Sequence, residues 1–228
     1  MSELLDRAIR LGLGIAYRRI FGDTPDDTAQ PSSPNEVGAV SSMLRLKRED
    51  GGVLLNIGRR TSGKTVLALR QAEVLGRETY MVSPEVEPPH WVKEIKLEEL
   101  DRLPPRYSTL ILDDVPAYMS SRSYTNPFVQ TVEALIPVVR HRRKIFLIFN
   151  TQMASMADKY IMDADLVFFK PPNVLFQDLE RPAVARWFKK VQPMFQVMTD
   201  MEQKKHAYLV TQSWHGMITV DLPSKGLR

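Results

Sequence analysis

Between Gly51 and Lys170 the chain alternates short unbroken apolar runs with longer mixed stretches. The runs are Val53–Ile57, Tyr80–Ser83, Thr109–Leu112, Ile145–Asn150 and Leu166–Phe169. Runs of this length, without polar alternation, predict strands buried on both faces. The intervening spacing predicts helices over 64–75, 90–101 and 126–142. In the last of these, Phe128, Val132, Leu135, Ile136 and Val139 fall on one stripe. Buried strands joined by helices imply an α/β fold: a mainly parallel central sheet flanked by helices. The tail follows a different pattern. Ala207–Gln212 and Met217–Asp221, on either side of Ser213-Trp214-His215-Gly216, predict a C-terminal antiparallel hairpin that extends the sheet.

The first residues form a separate unit. Over 1–21, Leu4, Leu5, Ile9, Leu13 and Ala16 recur at helical spacing, with Arg7, Arg10, Arg18 and Arg19 supplying charge. Gly12 and Gly14 weaken this amphipathic helix. Two roles stand open for it: docking on its own domain or a neighbouring subunit, or lying on a membrane or partner surface. Residues 22–38 are rich in Pro, Ser, Asp and Thr with little to bury, and read as a linker. The folded domain is expected over 39–228. No apolar run reaches the roughly 18–20 residues that cross a bilayer. The N-terminal segment also lacks a signal-peptide pattern, so a soluble intracellular protein is expected.

Composition narrows the chemistry. The hydrophobic fraction of 43% and charged fraction of 25% are ordinary globular values, so a core of normal size is available. A net charge of +4 suits a polyanionic partner without requiring one. The absence of cysteine excludes disulfides and thiolate metal sites. His90, His141, His206 and His215 are scattered without zinc-ligand spacing.

Gly58-Arg59-Arg60-Thr61-Ser62-Gly63-Lys64-Thr65 matches G-x-x-x-x-G-K-[ST] at every defined position, with an apolar strand before it and a helix-forming segment after it. Each residue type has a reason. The glycines let the backbone curl so that its N–H groups face phosphates. The helix that starts at Lys64 presents unpaired N–H groups and a positive dipole end. Lys64 supplies a point charge for β- and γ-phosphates, and Thr65 a hydroxyl for Mg²⁺. The expected ligand is ATP with Mg²⁺.

Farther along, Ser108-Thr109-Leu110-Ile111-Leu112 ends in Asp113-Asp114. After a phosphate loop, an apolar strand ending in carboxylates is a candidate Walker B element. Asp113 is then expected in the Mg²⁺ shell and Asp114 as the group that orients and deprotonates the attacking water. The plain alternative is a capped strand turning into Pro116. Lys144-Ile145-Phe146-Leu147-Ile148-Phe149 ends in Asn150-Thr151-Gln152, and an amide at that strand end suits the attacking water or γ-phosphate sensing. Just upstream, Arg140-His141-Arg142-Arg143 has two readings: a solvated helix C-terminus, or a source of an arginine finger for a neighbouring subunit.

The loop Gly58–Thr65, the strand Leu110–Asp114 and the Gln152 strand with arginines ahead of it resemble the FtsK–HerA family of RecA-like motor ATPases. The size is most like the small genome-packaging ATPases of membrane-containing icosahedral viruses. The resemblance covers about residues 50–170. It implies an ATP-hydrolysing ring, a hexamer, that drives double-stranded DNA into a preformed capsid. It also implies capsid portal or virion membrane partners, and a location in host cytoplasm or at a packaging vertex. Lys64, Thr65, Asp113 and Gln152 carry over onto matching positions. Asp114 replaces the family's usual glutamate, and Arg140 is nearest the finger spacing, with Arg142 and Arg143 as alternates.

DNA contact is expected either at Ser120-Ser121-Arg122-Ser123-Tyr124-Thr125-Asn126 or along Arg186-Trp187-Phe188-Lys189-Lys190. For Trp187 and Phe188 an ordinary core role is the preferred reading. Two other functions compete. One is a phage assembly ATPase of the zonular-occludens-toxin type, which usually carries a membrane span. The other is a nucleotide-dependent switch or small-molecule kinase, against which the Gln152 strand argues.

Overall fold

The computed structural model describes residues 51–84, 86–96, 99, 104–114, 144–152, 164–173, 180, 182–211 and 215–227. Three apolar runs become strands buried at every position: β1 (Gly52–Ile57), β4 (Ser108–Leu112) and β5 (Phe146–Thr151). The other strands are β2 (Glu78–Val82), β3 (Val92–Glu94), β6 (Leu166–Phe169), β7 (His206–Val210) and β8 (His215–Thr219). Among the described residues the helices are α1 (Lys64–Leu75), α2 (Pro182–Gln196) and α3 (Asp200–Lys205).

One sheet holds the eight described strands in the order β3-β2-β4-β5-β1-β6-β7-β8. The neighbours from β3 through β6 pair in parallel, and β7 and β8 add an antiparallel hairpin. Side chains alternate between the faces, so each strand feeds two cores. Val53, Leu55, Ile57, Leu110, Leu112, Leu147 and Phe149 meet Val184, Phe188, Val191 and Phe195 of α2 on one face. Leu54, Ile111, Phe146, Ile148 and Phe168 meet Leu67, Ala68, Ala72 and Leu75 of α1 on the other. Phe188 is fully enclosed and stands edge-on to Phe169, and Trp187 packs against the same core. These two aromatics therefore have the core role.

The helix expected over 90–101 is corrected. Val92–Glu94 is instead a short edge strand, with Thr79 opposite Val92 and Ile95 N–H donating to Met81 C=O at 2.9 Å. The open edge of β2 offers unpaired backbone groups, and satisfying them outweighs a modest helix propensity. The N-terminal helix over 1–21, the linker over 22–38, the helix over 126–142 and the loop 120–126 lie outside the described residues. None of the described helices is long and apolar enough to cross a membrane.

Candidate functional site

Parallel pairing brings the carboxyl ends of β1, β4, β5 and β6 to one edge, where open α/β sheets bind ligands. β1 runs into the loop 58–63, and α1 begins at Lys64. The loop curls through left-handed backbone at Thr61 (φ 59°) and Gly63 (φ 88°). Such alternation turns successive N–H groups toward one concavity, an anion-binding nest. Ser62 is buried, and its Oγ has no hydrogen-bond partner. An unpaired buried hydroxyl costs about 1–3 kcal/mol, and an incoming acceptor would remove that cost.

Lys64 folds back on its own loop. Its Nζ donates to Gly58 C=O at 2.9 Å and Arg59 C=O at 2.8 Å. Burial pulls its pKa down to about 8, and the opposing attraction of Asp113 and Asp114 only partly offsets this. Thr65 Oγ1 lies 3.2 and 3.0 Å from the two carboxylate oxygens of Asp113. A hydroxyl and a carboxylate, from different elements, thus meet beside the lysine. Hard oxygen donors of this kind fit Mg²⁺, which takes few protein ligands beside phosphate and water.

Asp113 is positioned by a chain of buried amides. Asn150 Nδ2 donates to Asp113 Oδ1 at 2.7 Å, and Asn56 Nδ2 donates to Asn150 Oδ1 at 2.8 Å. Asn56 and Gln71 then exchange two bonds, each 3.0 Å. The chain runs from α1 through β1 and β5 to β4. It exists because β5 sits between the loop strand and the acidic strand, with Asn56 opposite Asn150 in register. Sequence reading placed Asn150 near the γ-phosphate beside Asp113 but missed Asn56 and Gln71. A lone amide inside an apolar strand was the available signal for Asn56.

Asp114 follows β4 in left-handed backbone (φ 48°), a conformation aspartate tolerates. Its carboxylate is 4.0 Å from Arg60 Nη2. Gln152 is half-buried just past β5; there, Gly58 N–H donates to Thr151 C=O at 3.2 Å. Gln152 therefore sits beside the start of the loop. Arg59 reaches Asp200 Oδ1 at 3.3 Å and Gln203 Oε1 at 3.0 Å. Arg140, Arg142 and Arg143 lie outside the described residues, as does the basic run around His141.

Two further participants had no place in the sequence reading. The helix α3 packs beside the loop, and its start was signalled by a capping box: Thr199 Oγ1 accepts from Glu202 N–H, and Glu202 accepts from Thr199 N–H. Lys170 lies directly behind the loop, fully buried.

Neither a family model nor a curated protein matches the chain. Solved structures do. The genome packaging NTPase B204 of Sulfolobus turreted icosahedral virus 2, in complex with sulfate, superposes with a TM-score of 0.51 at 14% identity, covering 76% of this chain and 98% of that one. Its complex with AMP gives 0.51 at 13%, covering 76% and 99%. EccC of Thermomonospora curvata (ATPases 2 and 3), with a signal sequence peptide, gives 0.51 at 12%, covering 76% of this chain and 37% of that one. At such identities the likeness is one of fold. The chain has a P-loop ATPase fold, built on a mainly parallel sheet with an antiparallel C-terminal hairpin, and shares it with viral genome-packaging and EccC ATPases.

Proposed function

We propose that this chain binds ATP with Mg²⁺ and hydrolyses it, and that the cycle drives translocation of double-stranded DNA by a homo-oligomeric ring, a hexamer, during genome packaging. One observation carries the reading. The Thr65 hydroxyl and the Asp113 carboxylate meet at 3.0–3.2 Å beside Lys64, behind a loop of nest geometry.

Each residue then has a task. The loop N–H groups and Lys64 hold the phosphates, whose oxygens would take the place of the loop carbonyls that Lys64 now contacts. Thr65 and Asp113 would hold Mg²⁺, which supplies charge neutralisation at the β- and γ-phosphates. The amide chain through Asn150 fixes the direction in which the Asp113 carboxylate points. Asp114 would orient and deprotonate the attacking water, and the Gln152 amide would hydrogen-bond that water or sense the γ-phosphate. The DNA step is supported by the fold shared with B204 and by the net positive charge of +4. A motor indifferent to sequence grips phosphates rather than base edges. Arg140 is the first choice for a finger crossing to the next subunit, with Arg142 and Arg143 as alternates.

Three measurements test the reading: calorimetric ATP uptake, ATP turnover with and without double-stranded DNA, and particle mass. The expected results are uptake by the wild type, turnover raised by DNA, and a mass of several chains. Lys64→Ala should lower turnover by on the order of 10²–10³ while its circular dichroism stays unchanged. Failure of the wild type to take up nucleotide would sink the site. DNA-independent turnover by a monomer would sink only the motor.

A further inference from the structure

Lys170 is a buried cation that hydrolysis, as described above, does not employ. It follows β6 and is 0% exposed. Its Nζ donates to Gln203 C=O at 3.0 Å, Lys204 C=O at 2.8 Å and His206 C=O at 2.6 Å. Three acceptors match the three donors of an ammonium group, and they lie at the C-terminal end of α3, where the helix dipole favours a cation.

The same side chain lies along the back of the phosphate loop. A Cβ added at Gly58 would stand 2.6 Å from Lys170 Cβ, and one at Gly63 would stand 3.7 Å from its Cε and Nζ. Backbone bonds tie the segments further: Lys170 N–H to Ile57 C=O at 2.7 Å and Arg59 N–H to Pro171 C=O at 2.9 Å. Arg59 also bonds Asp200 and Gln203, so α3 is held to the loop from two directions.

Burying an ammonium is expensive, and here a second buried lysine, Lys64, is close enough to repel it. Carbonyl dipoles offset part of that cost. An anion seated on the loop would offset both charges together.

We propose that Lys170 is a positioning residue for the nucleotide phosphates: from behind the loop it braces Gly58 and Gly63 against α3 and adds a second positive charge to the cradle. The proposal rests on the ATP-site reading above. It assigns Lys170 to binding rather than to the chemical step. Its loss should therefore act on the substrate and the transition state alike and appear in KM more than in kcat.

The test uses the full chain with ATP as the probe. Lys170→Gln keeps two N–H donors for the α3 carbonyls but removes the charge. It is expected to raise the calorimetric Kd and KM for ATP about tenfold, with kcat changed less than about threefold. Lys170→Arg should bring both back to within about threefold of the wild type. A folded Lys170→Gln chain with wild-type ATP affinity would overturn the proposal and leave Lys170 a cap of α3. An arginine variant as weak as the glutamine variant would overturn it too. If Lys170→Gln does not fold, amide exchange in the wild type decides. ATP should slow exchange across α3 as well as the loop, and protection confined to the loop refutes the brace. A wild type that takes up no ATP overturns the nucleotide site and this proposal together; normal wild-type uptake with an unaffected variant overturns only this proposal.

Discussion

Asn56 is a polar residue with no exposure, next to the carboxyl end of the apolar strand β1. Its amide completes the chain from Gln71 to Asp113, so both neighbours depend on it. Asn56→Leu keeps the branched shape of the side chain but strands two buried amides, each worth about 1–3 kcal/mol. We expect a loss of about 2–4 kcal/mol in urea unfolding, with slower ATP turnover as Asp113 loses its support. A change under about 0.5 kcal/mol would show that the amide chain contributes nothing. The loop 58–65 could be read directly from sequence, since its residues act as a contiguous unit. Asn56, Gln71 and Lys170 could not, because each acquires its role from partners far along the chain. Asp114 was legible as an acidic neighbour of Asp113, whereas its left-handed backbone and its approach to Arg60 were not.

At the scale of elements, α3 buries none of its residues and so lacks an apolar anchor of its own. Its cap and its contacts with Lys170 and Arg59 hold it in place. Thr199→Ala removes the hydroxyl that accepts from Glu202 N–H and should cost about 1 kcal/mol. The measurement is thermal unfolding together with amide exchange over 200–206. Faster exchange there, with the exchange of β1 unchanged, is expected. Uniform exchange behaviour would mean that the cap does not control α3. The strands β1, β4, β5 and β6 were legible as apolar runs because burial on both faces leaves a compositional mark. The strand β3 was not. Residues 90–101 read as a helix, and only the neighbouring edge of β2 makes Val92–Glu94 extended.

For the whole molecule, the two buried lysines make stability depend on pH. Lys170 is pulled down to about 7, by burial first and by the charge of Lys64 second; Lys64 is pulled down to about 8, chiefly by burial. Both groups have an ordinary value of 10.5 once unfolded. Between the folded and unfolded values the unfolded chain binds more protons, so stability rises with pH. Urea midpoints without nucleotide should therefore increase from about pH 7 to about pH 9.5, and the increase should be smaller in Lys170→Gln. ATP should flatten the slope by favouring the charged lysines. A midpoint that falls across this interval would contradict the burial of both groups.

The sequence by itself determined what depends on neighbours along the chain: the phosphate loop, the helix that follows it, the strands buried on both faces and the tail hairpin. Spacing and local composition carry that information, because backbone conformation and side-chain periodicity are set over a few residues. Tertiary structure decided the rest. Strand order put β5 between β1 and β4 and so connected Asn56 to Asp113. Packing of α3 against the loop enclosed Lys170. Pairing between distant strands and the desolvation it enforces arise only when remote segments meet, and no local pattern records which segments those will be.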